Sequence, residues 1–185
     1  GDDTVEHLLL DSRRLIFPDT SLFFSLKGPR RDGGLFIEEL YRRGGRNFIV
    51  GETISIDLPG ANIILVDDTL AALQRLTAFH RRAFSIPVIG ITGSNGKTTV
   101  KEWLNQLLED SYQVVRSPKS YNSQIGVPLS VWQLNESHEL AIFEAGISRG
   151  AEMGKLQRII QPTIGIFTNI GEAHSEGFLN RAEKA

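Results

Sequence analysis

The sequence predicts an α/β protein: a small α/β domain over residues 1–85, followed by part of a parallel-sheet domain with a phosphate loop (P-loop) over residues 86–185. Three observations carry this. Val88-Ile89-Gly90-Ile91-Thr92 is a short, almost wholly apolar run, as expected of a strand buried on both faces. Strand and helix patterns then alternate as far as Thr168, the signature of a parallel sheet with crossover helices. Between the two halves, Ser85-Ile86-Pro87 interrupts a helical pattern, and the texture of the sequence changes there.

In the first half, Val5–Leu10 and Ser21–Leu26 read as strands separated by the turn formers Pro18-Asp19. Phe36, Ile37, Leu40 and Tyr41 recur at helical spacing and Gly44-Gly45 stops the helix. Asn47–Val50 and Ala61–Val66 are further strands. A longer helix follows from Thr69 to Phe84, with Leu73, Leu76, Phe79 and Ala83 on its apolar side.

In the second half, Val100, Trp103, Leu104, Leu107 and Leu108 form the i, i+3, i+4, i+7, i+8 stripe of an amphipathic helix. Tyr112–Arg116 is a strand, and Gly126-Val127-Pro128 opens a helix through Leu134 with its proline in the first turn. Leu140–Phe143 and Thr163–Thr168 are strands flanking a helix marked by Met153, Leu156 and Ile160.

Composition narrows the class. Of 185 residues, 41% are hydrophobic and 23% charged, a globular profile. A net charge of −2 gives no electrostatic reason to expect a nucleic-acid or anionic-membrane partner. The sequence has no cysteine, which excludes disulfides and thiolate metal sites and fits a reducing cytoplasm. No apolar stretch reaches the length of a membrane span. The start at Gly1 and the helix-forming Asn180–Ala185, which lacks a stop signal, read as the ends of a fragment.

The chemistry concentrates at Thr92-Gly93-Ser94-Asn95-Gly96-Lys97-Thr98-Thr99. Gly93 and Gly96 let the backbone approach a phosphate, Lys97 supplies a point charge and Thr98 a hydroxyl for Mg2+. The helix beginning there adds its partial positive end. Strand before and helix after are the context such a loop requires. One departure stands out: the general eight-residue pattern has its first glycine at position 91, which here is Ile91.

Glu144 closes one predicted strand, and His174 lies just past the end of another. Alone, they read as a surface carboxylate and a loop histidine. Ligands of open α/β sheets bind at the carboxyl ends of the strands, however, and there both would face the phosphate loop.

Together these strings, with Asn122 in the loop Pro118–Leu129, resemble the central domain of the Mur ligases, cytoplasmic enzymes that build the peptide of peptidoglycan. The resemblance implies that 86–185 is part of a P-loop ATPase domain. It implies that Gly93, Ser94, Asn95, Gly96, Lys97, Thr98 and Thr99 bind ATP, that Thr98 helps hold one Mg2+, and that Glu144 and His174 help hold a second. Lys97, Glu144 and His174 are the expected catalytic residues. A bridging carbamylated lysine of the family is expected just beyond Ala185, Lys184 coming too early.

Asp11-Ser12-Arg13, Lys27 and the turn Arg30-Arg31-Asp32-Gly33 are similar to the first domain of the third and fourth amino-acid-adding members. There this domain grips the uridine and diphosphate of a UDP-sugar, and arginine forks suit phosphate oxygens. Gly34 stands where the family usually has His or Arg. By charge alone the turn is an ordinary solvated basic loop.

The Asn-x-x-Ile-Gly-Val-Pro-Leu wording leans toward members that add D-alanyl-D-alanine to UDP-N-acetylmuramoyl-tripeptide, and most toward ligases fused to an alanine racemase. The diaminopimelate- or lysine-adding member is the alternative. A non-catalytic nucleotide-binding module is the alternative of another class.

Overall fold

The computed structural model describes residues 4–28, 32–147 and 152–171. The chain folds as two compact units, Gly1–Leu73 and Gln74–Ala185. The division falls inside a helix, ahead of the Ser85-Ile86-Pro87 break.

The first unit is built on a four-stranded parallel sheet in the order β1-β2-β3-β4. Its strands are β1 (His7–Leu9), β2 (Ser21–Phe24), β3 (Asn47–Val50) and β4 (Asn62–Leu65). β2 and β3 are buried throughout, as central strands of a parallel sheet must be. Phe23, Phe48 and Val50 form the core with Leu9, Leu58 and Ile37 and Leu40 of α1 (Ile37–Arg42). β4 is an edge strand, and its Ile63, Ile64 and Leu65 are exposed. A 3₁₀ turn over Gly33–Phe36 leads into α1.

α2 (Thr69–Arg81) crosses the division. Its last turn belongs to the second unit and bonds within it. Arg81 donates from Nε to Ile160 O (3.0 Å) and from Nη2 to Gln161 O (3.3 Å). It thereby satisfies carbonyls at the C-terminal end of α5 (Glu152–Ile160), where a cation is favoured. Phe79, which the spacing places on the apolar side, is instead 73% exposed.

His80 lies between Phe84 and Trp132, its ring 4.5 Å from the Trp132 ring, with Nε2 3.0 Å from Leu134 O. Burial lowers its pKa below the ordinary 6.5, because the charged imidazolium is the form that burial disfavours. The neutral ring therefore contributes stability above pH 6.5, and that contribution is lost as pH falls through the unfolded value toward the lower folded one. Melting temperature should drop by a few degrees between pH 7.5 and 5.5, and His80→Gln should flatten that slope. Parallel melting curves of the two proteins over this range check it; equal slopes would rule out His80 as the source.

The second unit carries a parallel sheet in the order β6-β7-β5-β8. Its strands are β5 (Val88–Thr92), β6 (Val114–Arg116), β7 (Leu140–Glu144) and β8 (Ile164–Phe167). Strand alternation sorts the residues onto two faces. Ile89, Ile91, Leu140 and Ile142 meet Val100, Leu104 and Leu108 of α3 (Lys97–Leu108). Val88, Ala141 and Phe143 meet Val127 and Val131 of α4 (Gly126–Val131) and Leu156, Ile159 and Ile160 of α5. Adjacent strands β5 and β7 thus send their following helices to opposite faces. The crevice between their carboxyl ends is the topological switch point, where open α/β sheets bind ligands.

α3 departs from its expected stripe. Val100, Leu104 and Leu108 are packed, whereas Trp103 and Leu107 are 63% and 76% exposed. The buried flank beside the apolar row is polar, formed by Lys101 and Asn105.

Candidate functional site

The phosphate loop joins β5 to α3 at this switch point. Gly93 and Gly96 have φ of +131° and +80°, values L side chains rarely adopt. Gly96 caps α3 in the left-handed conformation, and Val100 N donates to its carbonyl (2.9 Å). The first turn of α3 therefore aims its backbone N–H groups into the loop, a ready anion site. Lys97 Nζ donates to Gly93 O (2.7 Å) and lies 3.4 Å from Ser94 O, so its ammonium sits inside the curl of the loop.

A segment the motif does not contain holds the loop in shape. Ser94 N donates to Asn169 O (2.8 Å) and Asn95 N to Asn169 Oδ1 (3.1 Å). Gly171 N donates to Ser94 Oγ (2.8 Å). Thr168 Oγ1 donates to Asn95 O (2.6 Å). Ser94 and Asn95 are thus committed to a clamp by residues 168–171, and Thr168 and Asn169 are site residues that the motif alone does not reveal.

Glu144 ends β7 and shares the parity of Leu140 and Ile142, so its side chain falls on the α3 face. It is fully buried. Thr98 Oγ1 donates to its Oε2 (3.1 Å), and its own N–H donates to Ser117 Oγ (3.1 Å). Its Oε1 lies 3.0 Å from Lys101 Nζ but outside hydrogen-bond geometry, and so keeps acceptor capacity. A hydroxyl and a carboxylate with an unused lone pair are hard oxygen donors that suit Mg2+. Among the described residues no group of three or more His, Cys, Asp or Glu gathers in metal-binding geometry. A cation here would lean on the Thr98 hydroxyl and on phosphate oxygens.

Asn122 sits beside the same strand end. Gly146 N donates to its carbonyl (2.8 Å), and a Cβ on Gly146 would lie only 3.0 Å from its side chain. His174 lies outside the described residues. So do Arg30 and Arg31 of the basic turn.

In the first unit, Asp11 and Arg13 are spent on each other. Arg13 Nη2 donates to Asp11 Oδ2 (2.6 Å), and Asp11 Oδ1 accepts from Arg13 N (3.1 Å). The hydrogen bonds from Arg13 hold the Asp11 carboxyl well below the usual carboxylate range. Ser12 is buried between them in sequence, and its carbonyl accepts from Arg43 Nη1 (2.7 Å).

Lys27 pairs with Glu52 and stands 3.7 Å from Asp32 Oδ2. The Glu52 carboxylate raises its pKa. Asp32 caps the 3₁₀ turn by accepting from Gly34 N (2.8 Å). Gly33 packs so tightly that a Cβ would sit 2.7 Å from Ser25 Cα.

The family model for the Mur ligase middle domain matches residues 91–184, just over half of the chain. The chain belongs to the Mur ligase family. Among its relatives, the UDP-N-acetylmuramoyl-tripeptide–D-alanyl-D-alanine ligase of Bacillus subtilis (strain 168) is 36% identical over 181 residues, 97% of this chain and 39% of its own length. A crystal structure of MurF from Acinetobacter baumannii superposes with a TM-score of 0.90 at 31% identity, over 97% of this chain and 39% of that protein. MurF from Thermotoga maritima in complex with ADP gives 0.86 at 33% identity, over 99% and 42%. This Mur ligase chain therefore spans about 39% of the length of such relatives, and the α/β architecture with two parallel sheets is theirs.

Proposed function

We propose that the chain is the substrate- and ATP-binding part of an amide ligase of peptidoglycan precursor synthesis. The whole enzyme joins D-alanyl-D-alanine to UDP-N-acetylmuramoyl-tripeptide in the cytoplasm. The observation that carries the chemistry is the buried Glu144 carboxylate hydrogen-bonded to Thr98 in the first turn of α3. That pairing belongs to a loop that binds a metal–triphosphate. The choice of substrate is supported by a likeness to tripeptide–D-alanyl-D-alanine ligases that runs through nearly the whole chain.

In this reading residues 86–185 hold ATP through Gly93–Thr99, with Lys97 drawing charge from the transferred phosphoryl group. Thr98, Glu144 and His174 are the Mg2+ donors. When bound, the cation neutralises charge on the phosphate oxygens. The tripeptide carboxylate attacks the γ-phosphorus and ADP leaves; the amine of D-alanyl-D-alanine then attacks the acyl phosphate carbonyl and inorganic phosphate leaves. Residues 1–85 bind the UDP moiety through Asp11, Ser12, Arg13, Lys27, Arg30, Arg31, Asp32 and Gly33. Asn122 contributes from beside the β7 end. No nucleic-acid or membrane partner is needed, and a fused alanine racemase would lie beyond Ala185.

The test is ADP release by the full-length enzyme with UDP-N-acetylmuramoyl-tripeptide and D-alanyl-D-alanine, against UDP-N-acetylmuramoyl-dipeptide with diaminopimelate or lysine. Turnover only with the second pair would assign the other adder; ATP binding without turnover on either would make the chain a nucleotide-binding module. Glu144→Gln should require at least about tenfold more Mg2+ for half-maximal rate while leaving the KM for the UDP substrate little changed. A Mg2+ titration of both proteins reads this directly, and an unshifted midpoint would remove Glu144 from the metal site.

A further inference from the structure

Lys101 lies outside the phosphate-loop motif, yet it is as buried as any core residue, with a relative exposure of 0%. A buried ammonium is costly unless paired and hydrogen-bonded. This one is surrounded by oxygen. It donates to Ser117 O (2.8 Å) and Lys119 O, and lies 3.0 Å from both Glu144 Oε1 and Glu102 Oε1. Glu102 in turn meets Arg116 Nε (3.1 Å), so two cations face two carboxylates and the charges cancel. The Lys101 hydrogen bond keeps the Glu102 carboxyl below its ordinary range.

Placement makes this more than a structural pair. Lys101 stands three residues after Thr98 and four after Lys97, on the same side of α3. Helix α3 therefore faces both oxygens of Glu144: Thr98 donates to Oε2, and the Lys101 ammonium pairs by charge with Oε1 at 3.0 Å. The same ammonium fixes the carbonyl of Ser117, whose hydroxyl receives the Glu144 N–H, and that of Lys119, held at φ +50°. From Lys119 the chain runs directly to Asn122 at the β7 end. One side chain thus registers the metal-facing carboxylate, the strand that carries it and the following loop against the phosphate-loop helix.

We propose that Lys101 is a positioning residue for the metal–nucleotide site. It orients Glu144 for the cation and compensates the buried carboxylate's charge until a cation shares it. This rests on the ATP-binding reading above. Groups that orient a metal ligand from behind typically change metal affinity 10–100-fold when removed.

The test measures ATP binding to the chain by calorimetry, in EDTA and across a Mg2+ titration, for the unsubstituted protein and Lys101→Met. The Mg2+ midpoint should rise by at least about tenfold, while affinity in EDTA stays near that of the unsubstituted protein. A merely structural role would lower both together or move only the melting temperature. A second measurement needs no lysine variant: the 15N-detected ammonium signal of Lys101 in the unsubstituted chain. It should shift when Mg2+ is added to the ATP-bound protein and stay put on ATP alone, and Glu144→Gln should abolish the shift. An unchanged Mg2+ midpoint in Lys101→Met, or an ammonium signal indifferent to Mg2+, overturns the proposal. Failure of the unsubstituted chain to bind ATP at any Mg2+ concentration overturns the ATP reading first, and this role with it.

Discussion

Lys97→Ala should lower ATP affinity by at least about 100-fold and leave the fold intact. The ammonium sits inside the loop, donating to Gly93 O, with Ser94 O at 3.4 Å. A triphosphate entering the loop offers stronger acceptors than those carbonyls, and charge-assisted hydrogen bonds contribute about 1.5–3 kcal/mol each. Two such bonds account for the expected loss. Among the described residues the side chain belongs to none of the hydrophobic core clusters, so its truncation removes no core packing. Nucleotide titration with circular dichroism as the folding control measures both halves of the expectation. Unchanged affinity in a folded variant would remove the phosphate-binding assignment altogether.

Gly93→Ala should fail more broadly, losing nucleotide binding and several kcal/mol of stability. A Cβ at Gly93 would stand 2.1 Å from Thr168 Oγ1 and 2.9 Å from Asn169 N, at a φ of +131°. The dihedral alone costs about 1–3 kcal/mol for a side-chain-bearing residue. The clash adds to that, because Thr168 is anchored to Asn95 O and Thr92 O and cannot swing away without breaking the clamp. Deleting the hydroxyl should not cure it. In Gly93→Ala/Thr168→Ala the Asn169 backbone still obstructs the methyl, so denaturant melts of the single and double variants should nearly coincide. Full recovery in the double variant would show that the side chain, not the backbone, dictates the glycine.

The frame around the site was readable because its signals are local. A short, mostly apolar run, two glycines and a lysine fix β5, the loop and the start of α3, and the parity of Leu140, Ile142 and Glu144 follows from the strand repeat. What was not readable depends on distant partners. The 100/103/104/107/108 stripe says that α3 is amphipathic but not which flank is buried. Lys101 and Asn105 go inside because Ser117, Lys119, Glu144 and Arg116 arrive from elsewhere to receive them. Trp103 and Leu107 consequently face outward. Asn169 likewise gives no local sign of its role, since its partners are 74 or more residues away. In the first unit the strings at Asp11–Arg13 and Lys27 gave no sign that Arg13 is tied to Asp11 and Lys27 to Glu52.

The clamp by Asn169 has a kinetic side. The bonds that give the phosphate cradle its shape close a loop spanning most of the second unit, and long loops are slow to close. On emergence from a ribosome, β5 and α3 can form early from neighbouring residues, but the cradle between them cannot acquire its final curvature until β8 has docked and delivered residues 168–171. The final shape of the loop between β5 and α3 is therefore a late milestone in the unit's maturation.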